Sequence, residues 1–408
     1  MSLLAARSPG PLRHRDFRWL CAGVTVDSFG SALTPVALAF AVLDLGGSAT
    51  QLGLVVAAFA LAEVLTTLFG GVLGDRVPRT RMMAGSALAS GAVQAVVAAA
   101  LFGHFASVPF LSVTAVVGGV ASALGRPSSG AITPSTVPPD QVGGAVALRR
   151  LGSNTAMIVG YGVAGLLVAA LGSAVAIAVD AVTFAVAAGC YARIGAGRAA
   201  RGPQARHRAS LPAELRAGAA EVVRHTWLWV LIAQALLYHL VYGGVQGVIG
   251  PVVVGQAFGR AAWGWSLAAL MSGFVTGGFV TLWWRPRRAL AVGVTALSLT
   301  ACFPLAIAVQ GHPVTLLLGA FLHGLGLEVF SVWWDVSIQQ AVPTDRLARV
   351  NAFDAVGSFV MRPLGLAVAG PVTSALGTRS WLLAVAALMG GSSLLALLVP
   401  DVRRLERR

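Results

Sequence analysis

The stretch GVLGDRVPRTR occupies residues 71–81 and lies between two long apolar runs. It contains one acid (Asp75), three arginines and one proline, whereas the flanking runs contain a single further charge, Glu63. Charged side chains are costly in hydrocarbon, so a chain that leaves a bilayer and re-enters it collects them at the turn. The stretch therefore predicts a cytoplasmic turn between two membrane-spanning helices.

The composition of the whole chain agrees with this interpretation. Of its 408 residues, 57% are hydrophobic and 11% are charged, whereas soluble domains average about 25% charged residues. All 29 residues counted as Lys or Arg are arginines, and the absence of lysine excludes a Walker-A phosphate loop and a lysine Schiff base. The three cysteines lie far apart within apolar runs and do not have metal-ligand spacing. We therefore expect no metal, no cofactor and no self-contained ATP-driven pump.

Twelve apolar segments can be marked along the chain, and a spanning helix needs roughly 20 mostly apolar residues. The segments lie near 18–43, 50–73, 82–103, 108–130, 143–170 and 174–193, and then near 226–252, 262–284, 289–309, 313–336, 348–374 and 380–399. We predict an all-α membrane protein of twelve transmembrane helices in two six-helix bundles, residues 1–193 and 226–408. A cytoplasmic connector with a short amphipathic helix is predicted at 194–225.

The placement of arginine predicts the orientation of the spans. With the N-terminus inside, the arginine-rich connections fall on the cytoplasmic side, and the outer connections keep only Arg260 and Arg379. Positive charge is characteristic of cytoplasmic loops, so both termini are predicted to be cytoplasmic and the protein to lie in a plasma (inner) membrane. The net charge of +14 is then explained by contact with anionic lipid headgroups, without nucleic acid as a partner.

The two halves of the chain resemble each other. Residues 137–172 align without gaps on residues 342–377, and thirteen of the thirty-six positions are identical, including a VPxD start and four glycines. The offset of 205 residues is almost half the chain. Two parallel repeats of six spans with a site between them are a known plan of secondary transporters.

These residues resemble the major facilitator superfamily over essentially the whole chain. Residues 71–81 are similar to the signature between the family's second and third helices. The opening LRHRDFRW (12–19) and VPPD (137–140) resemble the macrolide- and siderophore-type exporters. The second half keeps the arginines of the signature at 285–288 without an aspartate, and the fourth span has no embedded arginine, which many relatives carry.

The resemblance implies that Asp75 meets the start of span eleven, where a helix dipole favours an anion. We predict that Asp75, Arg79 and Asp354 form a cytoplasmic latch that holds the halves together while the outer side is open. The predicted gate comprises Gly71, Asp75, Arg76, Arg79, Arg81 and Asp354. Arginines alone satisfy the topology rule, so the gating prediction depends on Asp75. A plain topology signal is the alternative.

Acidic residues inside the predicted spans are candidates for proton coupling or substrate contact. Charged groups at mid-membrane cost about 2.5–3.5 kcal/mol on insertion scales, so each requires a partner or a role. The candidates are Asp27, Glu63, Asp180 and Glu328. Asp27 and Glu328 rank first because they lie near mid-span in helices that line the cavity in the resembled family. A carboxyl kept neutral by burial, or tied to a neighbouring hydroxyl, is the alternative for each.

Span seven carries a polar stripe in which Gln234, Tyr238, Tyr242 and Gln246 recur at every fourth position. This spacing keeps the four side chains near one face of a helix. Polar groups are costly against lipid, so we predict that the stripe lines a cavity or packs on a neighbouring helix. The nearby glycines and Pro251 predict a bend in the same span.

The sequence thus indicates a monomeric secondary active transporter that works by rocking-bundle alternating access. The predicted activity is export of an amphipathic small molecule in exchange for protons. Two alternatives remain open at this point: a membrane-embedded lipid-linked transferase, and a transport-dead sensor or scaffold that kept the fold. The sequence contains no DxxD, HExxH or GxSxG motif, which argues against the transferase.

Overall fold

The computed structural model describes residues 10–74, 77–195, 216, 219, 222–343 and 346–406, with the backbone alone at 68–74, 126–131, 348–349, 351–352 and 355–359. The described chain is helical and contains no strand. The helices of the first half are α1 (Arg15–Asp44), α2 (Ala49–Gly74), α3 (Arg79–Phe102), α4 (Val108–Ala131), α5 (Val142–Leu171) and α6 (Ser173–Ala192). Those of the second half are α7 (Thr226–Gly244), α8 (Gly250–Phe258), α9 (Arg260–Trp283), α10 (Ala289–Leu297), α11 (Cys302–Val309), α12 (Pro313–Ala341), α13 (Leu347–Leu376), α14 (Thr378–Ala396) and α15 (Pro400–Arg404).

The predicted all-α membrane fold is confirmed. In the part of the chain that the structure describes, eleven helical stretches are long and apolar enough to cross a membrane. The twelfth predicted span corresponds to α13, whose apolar part is Val360–Leu376. Hydrocarbon offers no water to the backbone, so each span must pair its own N–H and C=O groups, and a helix does so within one segment.

Two spans of the second half are interrupted by tighter or wider helical turns. A π-helical segment, Val245–Ile249, joins α7 to α8, and a 3-10 segment, Ser298–Ala301, joins α10 to α11. A proline follows each interruption, at Pro251 and at Pro304. Proline has no N–H to donate, so the regular ladder of i to i−4 hydrogen bonds is broken at both points. Span seven thus contains a π-helical segment in the region where the sequence predicted a bend, and the bend itself stays a prediction.

The internal repeat is also visible in the backbone. Helices α5 and α13 each contain 30 residues, and their bounds differ by the same 205 positions as the sequence alignment. Both end at a glycine with a positive φ, Gly172 at 88° and Gly377 at 82°. Only glycine adopts this conformation without strain, and it lets the next helix begin at the following residue. The repeat therefore extends from the sequence to the helix ends.

The chain divides into two compact units. The first comprises Met1–Leu38 and Ala58–Arg206, and the second comprises Ala39–Ala57 and His207–Arg408. A buried apolar core of the first unit contains Phe17, Leu20, Met83, Ala187 and Tyr191. A core of the second contains Trp227, Leu228, Leu231, Trp334 and Ile338. Most of the predicted connector at 194–225 lies outside the described residues, and the boundaries of the two bundles stay a prediction.

Candidate functional site

Asp180 is the centre of a buried polar cluster in the first unit. Its side chain is 0% exposed, and its Oδ2 accepts hydrogen bonds from Thr34 Oγ1 at 2.5 Å and from Gln94 Nε2 at 2.7 Å. Thr183 Oγ1 lies 3.4 Å from Oδ1. Gly30 leaves room for this approach, because a Cβ atom there would lie 2.6 Å from Oδ1. One carboxyl therefore ties α1, α3 and α6 together.

The other two acidic candidates of the first half are more accessible. Asp27 is half-buried on α1 and is hydrogen-bonded to the side chain of Tyr191 on α6. Gly23 leaves space for the Tyr191 ring, whose Cδ1 would lie 2.8 Å from a Cβ atom at that position. Glu63 is half-buried on α2. Accessible carboxyls fit proton exchange with a cavity better than a fully enclosed carboxyl does.

Glu328 lies on the face of α12 that packs against α9. A Cβ atom built on Gly277 would lie 2.9 Å from Glu328 Cβ, and one built on Gly278 would lie 3.6 Å from Glu328 Oε1. The side chain is half-buried. Two adjacent glycines on α9 therefore leave room for this carboxyl at the helix interface. Among the described residues, no group of three or more His, Cys, Asp or Glu side chains could hold a metal ion.

The polar stripe of span seven divides between different neighbours. Gln234 Nε2 donates to Ser393 Oγ of α14 at 2.8 Å, beside a crevice of about 330 Å³ between α7 and α14. Tyr238 and Tyr242, both buried, lie against α12 instead. Gln246 is half-buried within the π-helical segment. The stripe therefore packs on neighbouring helices at three of its positions, and its role in lining a cavity stays a prediction.

His323 is a buried titratable residue that the sequence reasoning missed. It lies on α12, is 0% exposed, and faces the two tyrosines of the stripe. Its Nε2 is 2.8 Å from Tyr238 Oη, and its Nδ1 is 2.8 Å from the carbonyl oxygen of Thr300. The ring of Tyr242 stacks on the imidazole with a centroid distance of 4.2 Å. A histidine inside an otherwise apolar run was the signal that could have identified this site.

The predicted cytoplasmic gate is only partly visible. Asp75 and Arg76 lie outside the described residues, and only the backbone of Gly71 is described. Arg79 is half-buried at the start of α3, and Arg81 is exposed. Asp354 accepts a hydrogen bond from Trp334 Nε1 at 3.3 Å within the second unit. The latch between Asp75, Arg79 and Asp354 stays a prediction.

At the opposite end of the spans, an ion pair joins the end of α1 to the start of α9 within the second unit. Arg260 uses both terminal nitrogens, with Nη1 3.0 Å from Asp44 Oδ2 and Nη2 bonded to Oδ1. The guanidinium carbon also lies 5.3 Å from the centroid of the Phe40 ring. Phe40 in turn packs on Gly255 of α8, where a Cβ atom would lie 2.8 Å from the ring. Arg260 is one of the two arginines predicted to lie outside.

Comparison with known proteins agrees with the fold and with the resemblance seen in the sequence. The family model described as Major Facilitator Superfamily matches residues 20–284. The multidrug efflux pump Tap of Mycobacterium tuberculosis is 27% identical over 392 residues, which cover 92% of this chain and 91% of the relative. The pump of the same name from Mycolicibacterium fortuitum is 27% identical over 415 residues, and 97% of each chain is covered.

Similar solved structures are also transporters. A mutant of the nucleoside transporter NupG matches with a TM-score of 0.75 at 14% identity, over 94% of this chain and 98% of that chain. A bacterial homologue of the human lysosomal transporter Spinster, in an inward-facing and unoccupied conformation, matches with a TM-score of 0.69 at 15% identity. That match covers 95% of this chain and 97% of the other. At these identities the likeness concerns the fold alone.

Proposed function

Because the chain belongs to the major facilitator superfamily, it is a multi-pass membrane transporter of the secondary type, and we propose that it exports amphipathic small molecules in exchange for protons. The similarity to pumps named for multidrug efflux, over 92% and 97% of this chain, carries the proposal. A pump that accepts several drugs needs a site whose contacts are mainly apolar with few fixed polar groups. Family membership removes the lipid-linked transferase from consideration, since this family consists of transporters.

We assign proton coupling to Asp27 and Glu328, with Glu63 next. The half-buried positions of these carboxyls support the assignment, because a coupling group must exchange its proton with water during the cycle. Asp180 stands last, since its full burial and its bonds to Thr34 and Gln94 fit a cross-link between helices. Span seven, with Tyr238, Tyr242 and Gln246, is proposed to contribute to the substrate cavity.

The transport cycle is proposed to alternate between contacts at the two ends of the spans. On the outer side, Asp44 and Arg260 hold the end of α1 to the start of α9. The side chains of Arg260 and Asp44 are 40% and 32% exposed. An ion pair with this exposure contributes about 1 kcal/mol or less to stability, so it can open in each cycle. On the cytoplasmic side, the proposed counterpart is the latch of Asp75, Arg79 and Asp354. The protein is proposed to act as a monomer in the plasma membrane, with both termini in the cytoplasm.

Transport by purified protein in lipid vesicles tests this function. The probe is ethidium, a fluorescent lipophilic cation, and the driving force is an imposed pH gradient. We expect dye movement that stops when an ionophore dissipates the gradient. Asp27→Asn and Glu328→Gln should each reduce gradient-driven movement about tenfold or more, because a neutral amide cannot carry the proton. The exposed Asp140→Asn is the matched control and should transport normally. Dye movement at the same rate with and without the pH gradient would contradict proton coupling.

A further inference from the structure

Arg149 is a charged residue inside a span, and its charge has no partner among the described residues. It lies on α5, about 10 Å along the helix from Val142, within the stretch Pro139–Leu171 that is apolar enough to cross a membrane. The side chain is half-buried, and its Nε atom is fully buried without a hydrogen-bond partner. In the described part of the chain, the guanidinium also forms no ion pair. Arginine stays charged in proteins, so this cation has lost part of its water without gaining an anion.

Three helices of the first unit meet around this guanidinium. It lies within electrostatic reach of the Cys21 thiol on α1 and of the Tyr191 hydroxyl on α6. Tyr191 is 3% exposed, so the guanidinium is directed into the bundle on that side. One turn further along α5, a Cβ atom on Gly152 would lie 2.8 Å from Thr25 Oγ1, so α5 approaches α1 closely at this level. Arg149 is therefore held where α1, α5 and α6 meet, and not on a surface that α5 alone presents to lipid.

The acidic residues of these three helices are bound to other groups. Helix α5 contains none. Those of α1 and α6 have other partners: Asp16 the Gly195 N–H, Asp27 Tyr191, Asp44 Arg260, and Asp180 Thr34 and Gln94. The next residue, Arg150, is exposed and adds a second positive charge. An anionic ligand therefore fits beside Arg149.

Polar groups continue from Arg149 along the contact of α1 with α5. Thr25 and Ser28 of α1 and Ser153 of α5 are half-buried, and Ser28 Oγ lies 2.5 Å from Ser153 Oγ. Hydroxyl groups are costly against lipid, so their accessible parts face a cavity or a ligand. This polar seam can receive the hydrophilic end of a molecule whose remainder packs on apolar helix surfaces.

We propose that Arg149 binds the acidic group of exported molecules, so that amphipathic acids and zwitterions belong to the substrates of this transporter. The inference rests on the proposed export function and specifies a substrate class for it. A planar guanidinium presents paired N–H donors that match the two oxygens of a carboxylate. Charge-assisted hydrogen bonds of this kind are roughly twice as strong as neutral ones, which offsets the partial burial of both charges. Lipid phosphate is the other source of such an anion in a membrane, and a competition experiment separates the two sources.

The first experiment compares two fluorescent probes that differ only in the acidic group: tetramethylrhodamine with a free carboxylate, and its methyl ester. Binding of each probe to the full-length purified protein is measured by fluorescence anisotropy in a non-ionic detergent, with a correction for partition into empty micelles. Both probes carry the same rings and the same positive charge, so the ratio of their dissociation constants isolates the carboxylate. We expect the unmodified protein to bind the acid about tenfold more tightly than the ester, the effect of one charge-assisted bond. Equal affinities would overturn the proposal before any variant is made.

Substitutions at two neighbouring arginines assign this preference to one side chain. Arg149→Gln should remove most of the preference for the acid, because the amide is polar but uncharged. Arg149→Lys keeps the charge without the planar fork and should retain part of the preference. Arg150→Gln is the matched control, since it removes the same charge from an exposed side chain one position away and should leave the preference unchanged. Equal losses in Arg149→Gln and Arg150→Gln would overturn the proposal, because the net charge of the protein would then attract the acid.

The second experiment adds short-chain phosphatidylglycerol as a competitor, with short-chain phosphatidylcholine as the control that has no net charge. The guanidinium lies where three helices meet, so we expect phosphatidylglycerol to displace the acid no more than phosphatidylcholine does. If phosphatidylglycerol displaced the acid selectively from the unmodified protein but not from Arg149→Gln, the guanidinium would hold a lipid phosphate. That result would overturn the assignment of Arg149 to substrates.

Failure of this inference can be told apart from failure of the proposed function. If ethidium moves under the pH gradient but the protein does not prefer the acid, export stands and Arg149 is not a substrate contact. If the acid is preferred through Arg149 but neither ethidium nor the acid moves under the gradient, the binding site stands and proton-coupled export fails.

Discussion

At Asp180, one carboxyl accepts from Thr34 of α1 and from Gln94 of α3 while its own helix is α6. An asparagine at this position keeps an oxygen for these two donors, and its amide can donate to the nearby Thr183 hydroxyl. An alanine removes the carboxyl acceptor of both donors, and Gln94 Nε2 keeps only its 3.0 Å bond to Thr34 Oγ1. The two substitutions therefore separate a structural carboxyl from a coupling carboxyl.

For Asp180→Ala we predict a loss of about 1–3 kcal/mol in the free energy of unfolding, the cost of unsatisfied buried donors. For Asp180→Asn we predict near-normal stability and retained gradient-driven transport. Thermal unfolding in detergent and the vesicle assay measure the two properties, and the exposed Asp140→Ala serves as the control. If Asp180→Asn folded normally but lost transport, the carboxyl would be a coupling group after all.

At the scale of helix pairs, α9 and α12 approach each other through reciprocal glycines. A Cβ atom on Gly324 would overlap the carbonyl oxygen of Leu270, and one on Gly273 would overlap that of Phe321. Small residues at such crossings let two backbones come close, which is a main source of packing energy between helices in lipid. This close approach also holds Glu328 and His323 in fixed positions on α12.

Gly324→Ala is therefore predicted to lower the free energy of unfolding by about 1–3 kcal/mol, because the added methyl group must displace backbone. Gly391 of α14 is helical and has nothing within 4 Å of its Cβ position. Gly391→Ala is the matched control, and we predict a gain of up to about 1 kcal/mol from helix propensity. Thermal unfolding of both variants tests this prediction. If Gly324→Ala melted at the same temperature as the unmodified protein, α9 and α12 would be able to separate at no cost.

At the same scale, the sequence was sufficient to predict the helices but not the contacts between them. Span lengths, the repeat between α5 and α13 and the interruption of the regular helix before Pro251 follow from local apolar length, glycine positions and proline chemistry. His323 was not predicted because its hydrogen bonds are made to other spans, at the Thr300 carbonyl and the Tyr238 hydroxyl. Tyr238 was singled out on α7, but its partner 85 positions later depends on tertiary packing.

At the scale of the whole molecule, residues 39–57 are grouped with the second half of the chain. Contacts that join this segment to the second half include the Asp44–Arg260 pair, Phe40 on Gly255, and Thr50 on Gly370, where a Cβ atom would lie 2.6 Å from Thr50 Oγ1. The members of the ion pair are 216 positions apart, so sequence patterns could not connect them. Alternating access requires that such contacts separate in one state of the cycle.

Reversing one charge of the outer pair should favour that separation. In a Thr50→Cys background, we predict that Asp44→Arg or Arg260→Asp increases the rate of labelling by an external, membrane-impermeant thiol reagent about fivefold, the change that a free energy of about 1 kcal/mol produces. Arg379→Asp reverses an exposed arginine that is also predicted to lie outside, so it controls for the change in surface charge. The double reversal, which rebuilds the pair with opposite polarity, should return the rate toward that of the parent. If the double reversal showed the combined effect of the two single reversals on the labelling rate, the ion pair would contribute nothing to holding these helices together. Packing contacts, such as those of Phe40 and Thr50, would then hold them.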